Sequence, residues 1–311
     1  MSFDVIGLGC ACLDFLGVVP TKPEMDDQVW MVDSIQQGGG KAATALVTLA
    51  KLGVSTAFLG KIGNDPVGQV IKNEFDEYGV YSSHMIMDPS VTSLMSMILV
   101  DQSSGKRTIL SDRRSTSALL PLDIPEGLIE STKFLHLDGT SRSAAITAAN
   151  LARKSGVVVV LDADILVCDD DIEKLVSLTD ILIASKSFAT QFTGLKDPFA
   201  AAKLISSYGT AVTVITQGEA GSVGVYGEHV FLTPSFEVDV VDTTGAGDVY
   251  HGAFIYGLLN KWSFEKSAEF ASAVAAISCT KLGGRKGIPG VLETKLFLQK
   301  RKARYFTGGE N

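Results

Sequence analysis

Apolar residues along this chain follow two alternating rhythms, short unbroken runs and stripes at helical spacing. The short runs, bounded by turn residues, predict buried strands at 5–8, 56–60, 133–137, 157–161, 181–184 and 212–216. Between them the stripes predict helices. One spans 41–52, rich in Ala and Leu, and stops at Gly53. Another spans 66–78: Asp65 can accept a first-turn N–H, Pro66 suits a position whose N–H is unpaired, and Gly79 tolerates the left-handed stop. Strands alternating with helices predict an α/β fold, a doubly wound and mainly parallel sheet flanked by helices, and we read 1–311 as one domain.

Two stretches break the rhythm. Residues 14–36 are too polar and irregular for a crossover helix. Residues 93–111 read as a hairpin, with 93–100 and 107–110 paired around Ser103-Ser104-Gly105. Together they predict a small sheet projecting from the body, with an apolar face supplied by Trp30, Met31, Val32, Met95 and Met97.

With 46% apolar residues in 311, the chain can bury a large core. Its net charge of −8 and the lack of a long basic block argue against a nucleic-acid partner. The one basic cluster, Lys300-Arg301-Lys302 with Arg304, reads as a solvated helix end. No apolar run approaches the roughly 20 residues of a membrane helix, and the amino terminus lacks a signal-peptide pattern, so no membrane partner and a cytoplasmic location are expected. Cys10, Cys12, Cys168 and Cys279 have neither metal-ligand nor disulfide-framework spacing and read as free thiols.

The candidate chemistry is concentrated in Asp242-Thr243-Thr244-Gly245-Ala246-Gly247-Asp248, which leads into the apolar run 249–259. Gly245, Ala246 and Gly247 let backbone amides approach an anion, and the helix that starts there adds the positive end of its dipole. Asp248, on the first turn, can take a proton from an attacking hydroxyl while the amides stabilise charge on a phosphoryl group. A second run, Gln36-Gln37-Gly38-Gly39-Gly40-Lys41-Ala42-Ala43-Thr44, also opens a helix and offers bare backbone to a ligand. Asp14 and Asp138 each follow a predicted strand, at the edge where open α/β sheets bind ligands. Arg107, Arg113, Arg114 and Arg142 lie near the predicted small sheet or rim and are candidates for holding an anionic substrate group.

Residues 242–255 resemble the second signature of the ribokinase-like (PfkB) carbohydrate kinases, and the likeness extends from Asp14 to Pro289. It implies an ATP-dependent sugar kinase with Mg²⁺, in which Asp248 is the base and Gly245, Ala246 and Gly247 form the anion hole. It further implies that Asp14 orients the sugar, that Gly39 and Gly40 contact its hydroxyls, and that the projecting sheet is a lid over the sugar and a possible homodimer contact. Thr44 stands where relatives usually carry Asn. Thr216-Gln217-Gly218-Glu219-Ala220-Gly221 resembles the nucleotide loop, placing Thr216, Gly218 and Gly221 beside ATP with Lys186 and Ala275. The run 283–289, including Gly284 and Gly287, with Asp242 and Thr244, is implied as a possible K⁺ site.

Some positions depart from the pattern. Ser185-Lys186-Ser187-Phe188 replaces the Asn-x-x-Glu that organises water around Mg²⁺, an opening similar to that of the ketohexokinases. Asp162-Ala163-Asp164 replaces Asp-x-Asn, with both carboxylates available to assist Mg²⁺ or fix the nucleotide loop, and Leu166 stands where Arg is frequent. The segments 161–165, 236–253 and 279–289 look more like the sulfofructose kinases than ribokinase, although Gln28 and Ser111 occupy positions where a sulfonate would want a cation or an amide. The expected activity is phosphorylation of a primary hydroxyl of a sugar or sugar derivative. Sulfofructose is the alternative acceptor, and a catalytically silent sugar- or nucleotide-binding protein is the alternative of another class.

Overall fold

The computed structural model describes residues 2–112, 118–164 and 168–307. The chain opens with β1 (Val5–Leu8), β2 (Cys12–Val19), β3 (Asp33–Gly39), α1 (Lys41–Lys51), β4 (Thr56–Leu59), β5 (Lys61–Gly63) and α2 (Pro66–Tyr78). It continues through β6 (Ile86–Asp88), β7 (Leu94–Asp101), β8 (Arg107–Ser111), β9 (Phe134–Leu137), α3 (Arg142–Lys154), β10 (Val158–Ala163), α4 (Asp170–Ser177) and β11 (Ile181–Ser185). The last part comprises α5 (Lys186–Thr193), α6 (Pro198–Ser206), β12 (Val212–Thr216), β13 (Ser222–Tyr226), β14 (His229–Thr233), α7 (Ala246–Leu259), α8 (Phe264–Ser278) and α9 (Val291–Thr307).

The main sheet has eight strands in the order β14-β13-β12-β11-β10-β9-β1-β4. All pairs from β4 across to β12 are parallel, and β13 and β14 extend that edge as antiparallel strands. One face is covered by apolar residues of α3 to α6, the other by those of α1, α2, α7 and α8. This is the expected doubly wound α/β arrangement. The α2 signals act as written: Asp65 Oδ1 accepts from Gly68 N at 2.7 Å, and Gly79 stops the helix at φ 75°. From β1 the chain proceeds to β4 on one side and later to β9 on the other. The carboxyl ends of β1 and β9 therefore flank a topological switch point, where an open sheet leaves a crevice.

The two stretches that break the rhythm pair into a second sheet, in the order β3-β2-β7-β8. Asp14 follows β1 as expected but lies within β2 rather than in a loop, and Gln36 to Gly39 form the end of β3 before α1. Strand β2 is buried almost throughout, so no alternation marks it. On its inner face Leu16 and Val18 pack with Ile98, Val100 and Leu282, while Asp14 lies on the same face nearer the crevice. On the outer face Phe15, Met97 and Leu110 form a continuous, exposed cross-strand row.

Candidate active site

Val249 N donates to Gly245 O at 2.9 Å, the first i→i−4 bond of α7. The Gly247 and Asp248 amides precede it, in the turn where a helix leaves its N–H groups without helical partners. Gly245 is the cap at φ 72°, a left-handed conformation that a side chain would oppose. A Cβ on Gly247 would meet nothing within 4 Å, so the cradle is open on that side. Asp248 is half-buried. Burial, then the neighbouring Asp162 charge, push its carboxyl above the usual carboxylate range, against the opposing pull of Lys41.

The loop before the cradle is held from within. Asp242 is buried; its Oδ1 accepts from Thr244 N at 2.8 Å and Thr244 Oγ1 at 2.7 Å, and its Oδ2 from Gly283 N at 2.8 Å. Both carboxylate oxygens are therefore already engaged by protein donors. The Asp242 carboxylate thus ties Thr244, just before the cradle, to the 283–287 segment. Gly245 and Gly284 lie against each other, a Cβ on the former standing 3.0 Å from the Cα of the latter. Gly287 packs against the carbonyl of Ser278 at the end of α8.

At the switch point, Asp138 is fully buried just beyond β9. Its Oδ2 accepts from Cys10 N at 2.8 Å and Ala42 N at 3.4 Å, and its Oδ1 from Thr140 N at 3.0 Å and Thr140 Oγ1 at 2.6 Å. Four protein donors thus make this carboxylate a bracket between β1, α1 and the β9–α3 turn. Asp14 is 6% exposed, with Cys12 Sγ donating to Oδ1 at 3.2 Å, and burial raises its pKa. Gly39 lies directly against it, since a Cβ there would overlap Asp14 Oδ2. Gly40 turns into α1 at φ 98°.

Thr44, the departure from the usual Asn, accepts at Oγ1 from Arg285 Nε at 3.3 Å. Arg285 is wholly buried and was not singled out as a functional side chain from sequence. Its Nη2 donates to Gly39 O at 2.9 Å, and its Nη1 pairs with Glu74 Oε2 at 3.2 Å. Glu74 in turn accepts from Gly38 N. The pairing crosses 211 residues of sequence, and Glu74 sits on an amphipathic helix where a charged residue reads as surface.

A second unsignalled cluster lies beneath the cradle. His136, Asp162 and His251 are buried, and their nearest ligand-type atoms are all within 4.8 Å of one another. Both ring nitrogens of His136, Asp162 Oδ1 and His251 Nδ1 have no well-formed hydrogen bond among the described residues. Burial lowers both imidazole pKa values to about 3, so His251, 3.6 Å from Asp162, is neutral. Lys41 supplies the nearby positive charge, its own pKa raised by Asp162, Asp138 and Asp164 against the cost of burial, and its Nζ donates to Asp164 O. Burial also pushes the Asp162 carboxyl up.

Other sequence candidates separate by position. Arg107, on β8, donates from Nη1 to Thr243 Oγ1 at 3.0 Å, bringing the small sheet onto the loop before the cradle. Arg142, another of the candidate rim cations, opens α3 and pairs with Asp169. Arg113, Arg114 and Leu166 lie outside the described residues. Thr216 ends β12 and donates to Ala184 O at 3.2 Å; Gly218 and Gly221, at φ 61° and 83°, shape the turn into β13. Lys186 is exposed at the start of α5, and Ala275 is half-buried on α8. Ser185 caps α5, accepting from Phe188 N at 3.1 Å, and Phe188, at the position of the missing Glu, is buried and stacked on Phe192. An aromatic core side chain thus replaces the water-organising carboxylate.

Residues 17–290 match the pfkB family of carbohydrate kinases, and the chain belongs to that family. A ribokinase of Haemophilus influenzae is 32% identical, covering 84% of this chain and 87% of its own. A 5-dehydro-2-deoxygluconokinase of Clostridium perfringens is 30% identical, covering 98% and 95%. The fold is also that of solved ribokinases: the Giardia lamblia structure has a TM-score of 0.87 at 20% identity, covering 96% of this chain and all of its own. The Arabidopsis thaliana ribokinase, solved with ribose and ATP, has a TM-score of 0.81 at 22% identity, covering 96% and 99%. The chain is therefore a sugar kinase with a ribokinase-like fold. No helix among the described residues is long and apolar enough to cross a membrane.

Proposed function

We propose that this kinase transfers the γ-phosphate of ATP to a primary hydroxyl of a sugar or sugar derivative, with Asp248 as general base and Gly245, Ala246 and Gly247 as the anion hole. The observation that carries this reading is the joining of an open helix N-terminus to a carboxyl whose pKa is raised. Asp248 takes the hydroxyl proton while the first-turn amides stabilise charge on the transferring group. Asp14 and the Gly39–Gly40 backbone receive the sugar beneath the four-stranded sheet, which acts as the lid. The nucleotide runs from the cradle toward Thr216, Gly218, Gly221, Lys186 and Ala275. Arg107 faces the same loop and contributes positive charge.

Kinases of this family use ATP with Mg²⁺, and the acidic donor set near the cradle suits a hard cation. Asp164 is half-buried at the end of β10, and Asp162 and Asp248 lie close enough to influence each other. Water and phosphate oxygens would complete the coordination, since Mg²⁺ keeps much of its hydration shell. Backbone carbonyls beside Gly284 and Gly287 would hold K⁺, which would stiffen the cradle. The exposed row of Phe15, Met97 and Leu110, with Trp30 and Met31 nearby, suits a second copy of the chain in a homodimer.

The test is ADP release with Mg·ATP and K⁺ against D-ribose, D-fructose, their phosphates, 5-dehydro-2-deoxygluconate, sulfofructose and nucleosides, with Asp248→Asn as blank. One acceptor well above the blank supports the reading and names the substrate. ATP-induced thermal stabilisation with no acceptor above the blank would instead favour a silent binding protein.

A further inference from the structure

We infer that Arg285 is a positioning residue that couples the sugar end of the site to the phosphate end. The inference rests on the sugar and anion-hole reading just given. Three guanidinium nitrogens meet three different parts of the fold: Nη2 the Gly39 carbonyl, Nη1 the Glu74 carboxylate and Nε the Thr44 hydroxyl. The rigid planar fork of Arg can hold three such directions at once, which the single ammonium of Lys cannot. Glu74 completes the hold by accepting from Gly38 N, so the 37–38 and 39–40 peptides, on either side of the 38–39 peptide at the end of β3, are held by one ion pair. The Phe75 ring stands 5.6 Å from the guanidinium carbon.

The same short segment fastens the cradle. Gly283, two residues before Arg285, donates to Asp242 Oδ2, whose partner oxygen orders Thr244 immediately before Gly245. Lys51, at the end of α1, donates to the Arg285 carbonyl at 3.2 Å and ties the segment to the helix that β3 enters. A route of hydrogen bonds joined by short backbone links therefore runs from the anion hole through Thr244, Asp242, Gly283 and Arg285 to Gly39, beside Asp14. Ordering one end restricts the other, which appears as positive coupling between nucleotide and sugar.

The crowding at Gly38 shows how closely the pair is set, because a Cβ there would overlap Glu74 Oε2 and Arg285 Nη1. Removing Arg285 alone strands a buried carboxylate. The informative variants are thus Glu74→Met/Arg285→Met, which removes both charges, and Arg285→Lys, which keeps the charge without the fork. Hydrogen exchange of peptides covering 36–44 is followed with and without Mg·AMP-PNP, beside nucleotide affinity and steady-state kinetics on the best acceptor. In the native protein the nucleotide is expected to slow exchange over 36–44 several-fold. In both variants that slowing is lost while nucleotide affinity stays within about threefold, and sugar KM rises at least tenfold with a smaller change in kcat.

An unchanged response over 36–44, or activity that falls only with the folded fraction at constant KM, overturns the coupling. If the native protein neither binds AMP-PNP nor phosphorylates any sugar, the kinase reading fails separately. The clamp is then decided by ligand-free exchange at 36–40, which must be faster in the double variant.

Discussion

The site is flanked by two glycine-rich runs of nearly the same composition, and they contain glycine for opposite reasons. In the run Gly245–Gly247 the space is open at Gly247, where a methyl would touch nothing, while Gly245, set against Gly284, has a left-handed backbone that a side chain would oppose. Around Gly38–Gly40 the space is full, with Glu74 and Arg285 against Gly38, Asp14 against Gly39 and the Cys10 carbonyl against Gly40. On the side where a Cβ would stand, Gly247 faces free space, whereas Gly38 and Gly39 face the protein's own side chains. Glycine content alone therefore does not distinguish a ligand cradle from a tightly packed junction.

The largest effect should come from the chemistry at the open run. Asp248→Asn should lower turnover on the order of 10²–10⁴-fold while sugar affinity stays close to native. Thermal melting checks the physical basis. An acid with a raised folded pKa contributes stability present below its unfolded value and lost as pH rises through the folded one. The Asn variant should consequently melt higher than the native protein at pH 9, with the difference shrinking toward pH 4. Equal melting at both ends would contradict a destabilised Asp248 carboxylate.

Filling the full run comes next. Gly38→Ala should destabilise the fold by about 1–3 kcal/mol, as overpacking does, and raise sugar KM, because either Glu74 or Arg285 has to move. Chemical denaturation and kinetics would expose the distinction if the variant were as stable as native. Gly247→Ala should do the reverse in stability: Ala is favoured over Gly in a helix by about 0.5–1 kcal/mol and meets no clash. Turnover should still fall, on the order of tenfold or more, because the methyl enters the space left for the transferring group.

The smallest effect is a displacement along the pH axis. Asp248 is held up partly by the Asp162 charge, so Asp162→Asn should move the rising limb of kcat/KM to lower pH. A limb that stayed in place would show that burial alone sets the base. His251, neutral at 3.6 Å from Asp162, contributes no charge to this balance near neutrality.

Much of the fold was readable because its signals are local. The six predicted strands of the main sheet lie within a residue or two of those found, and Asp65, Pro66 and Gly79 delimit α2 as their chemistry requires. The left-handed glycine and first-turn carboxylate that open α7 were readable for the same reason, since Asp242 to Asp248 are contiguous. The burial that gives β2 its place could not be read, because it depends on partners as distant as β7, and Asp14 looked like a loop residue. Nor could Glu74, Thr44 and Arg285, or His136, Asp162 and His251, be grouped. Each trio is assembled by tertiary packing from positions that look ordinary in their own segments. Asp138 was located at the right edge, but its four protein donors come from three separate segments.

The long sequence separation within the Glu74–Arg285 pair also has a consequence in time. During synthesis at about 5–20 residues per second, Glu74 and the glycines of β3 leave the ribosome roughly 10–40 s before Arg285 does. A nascent chain ending before Gly283 contains every strand described, yet it has neither the guanidinium that holds Gly39 nor the amide that closes on Asp242. The ribosome-bound intermediate can therefore gather most of its core before the contacts that join the two glycine-rich runs can form.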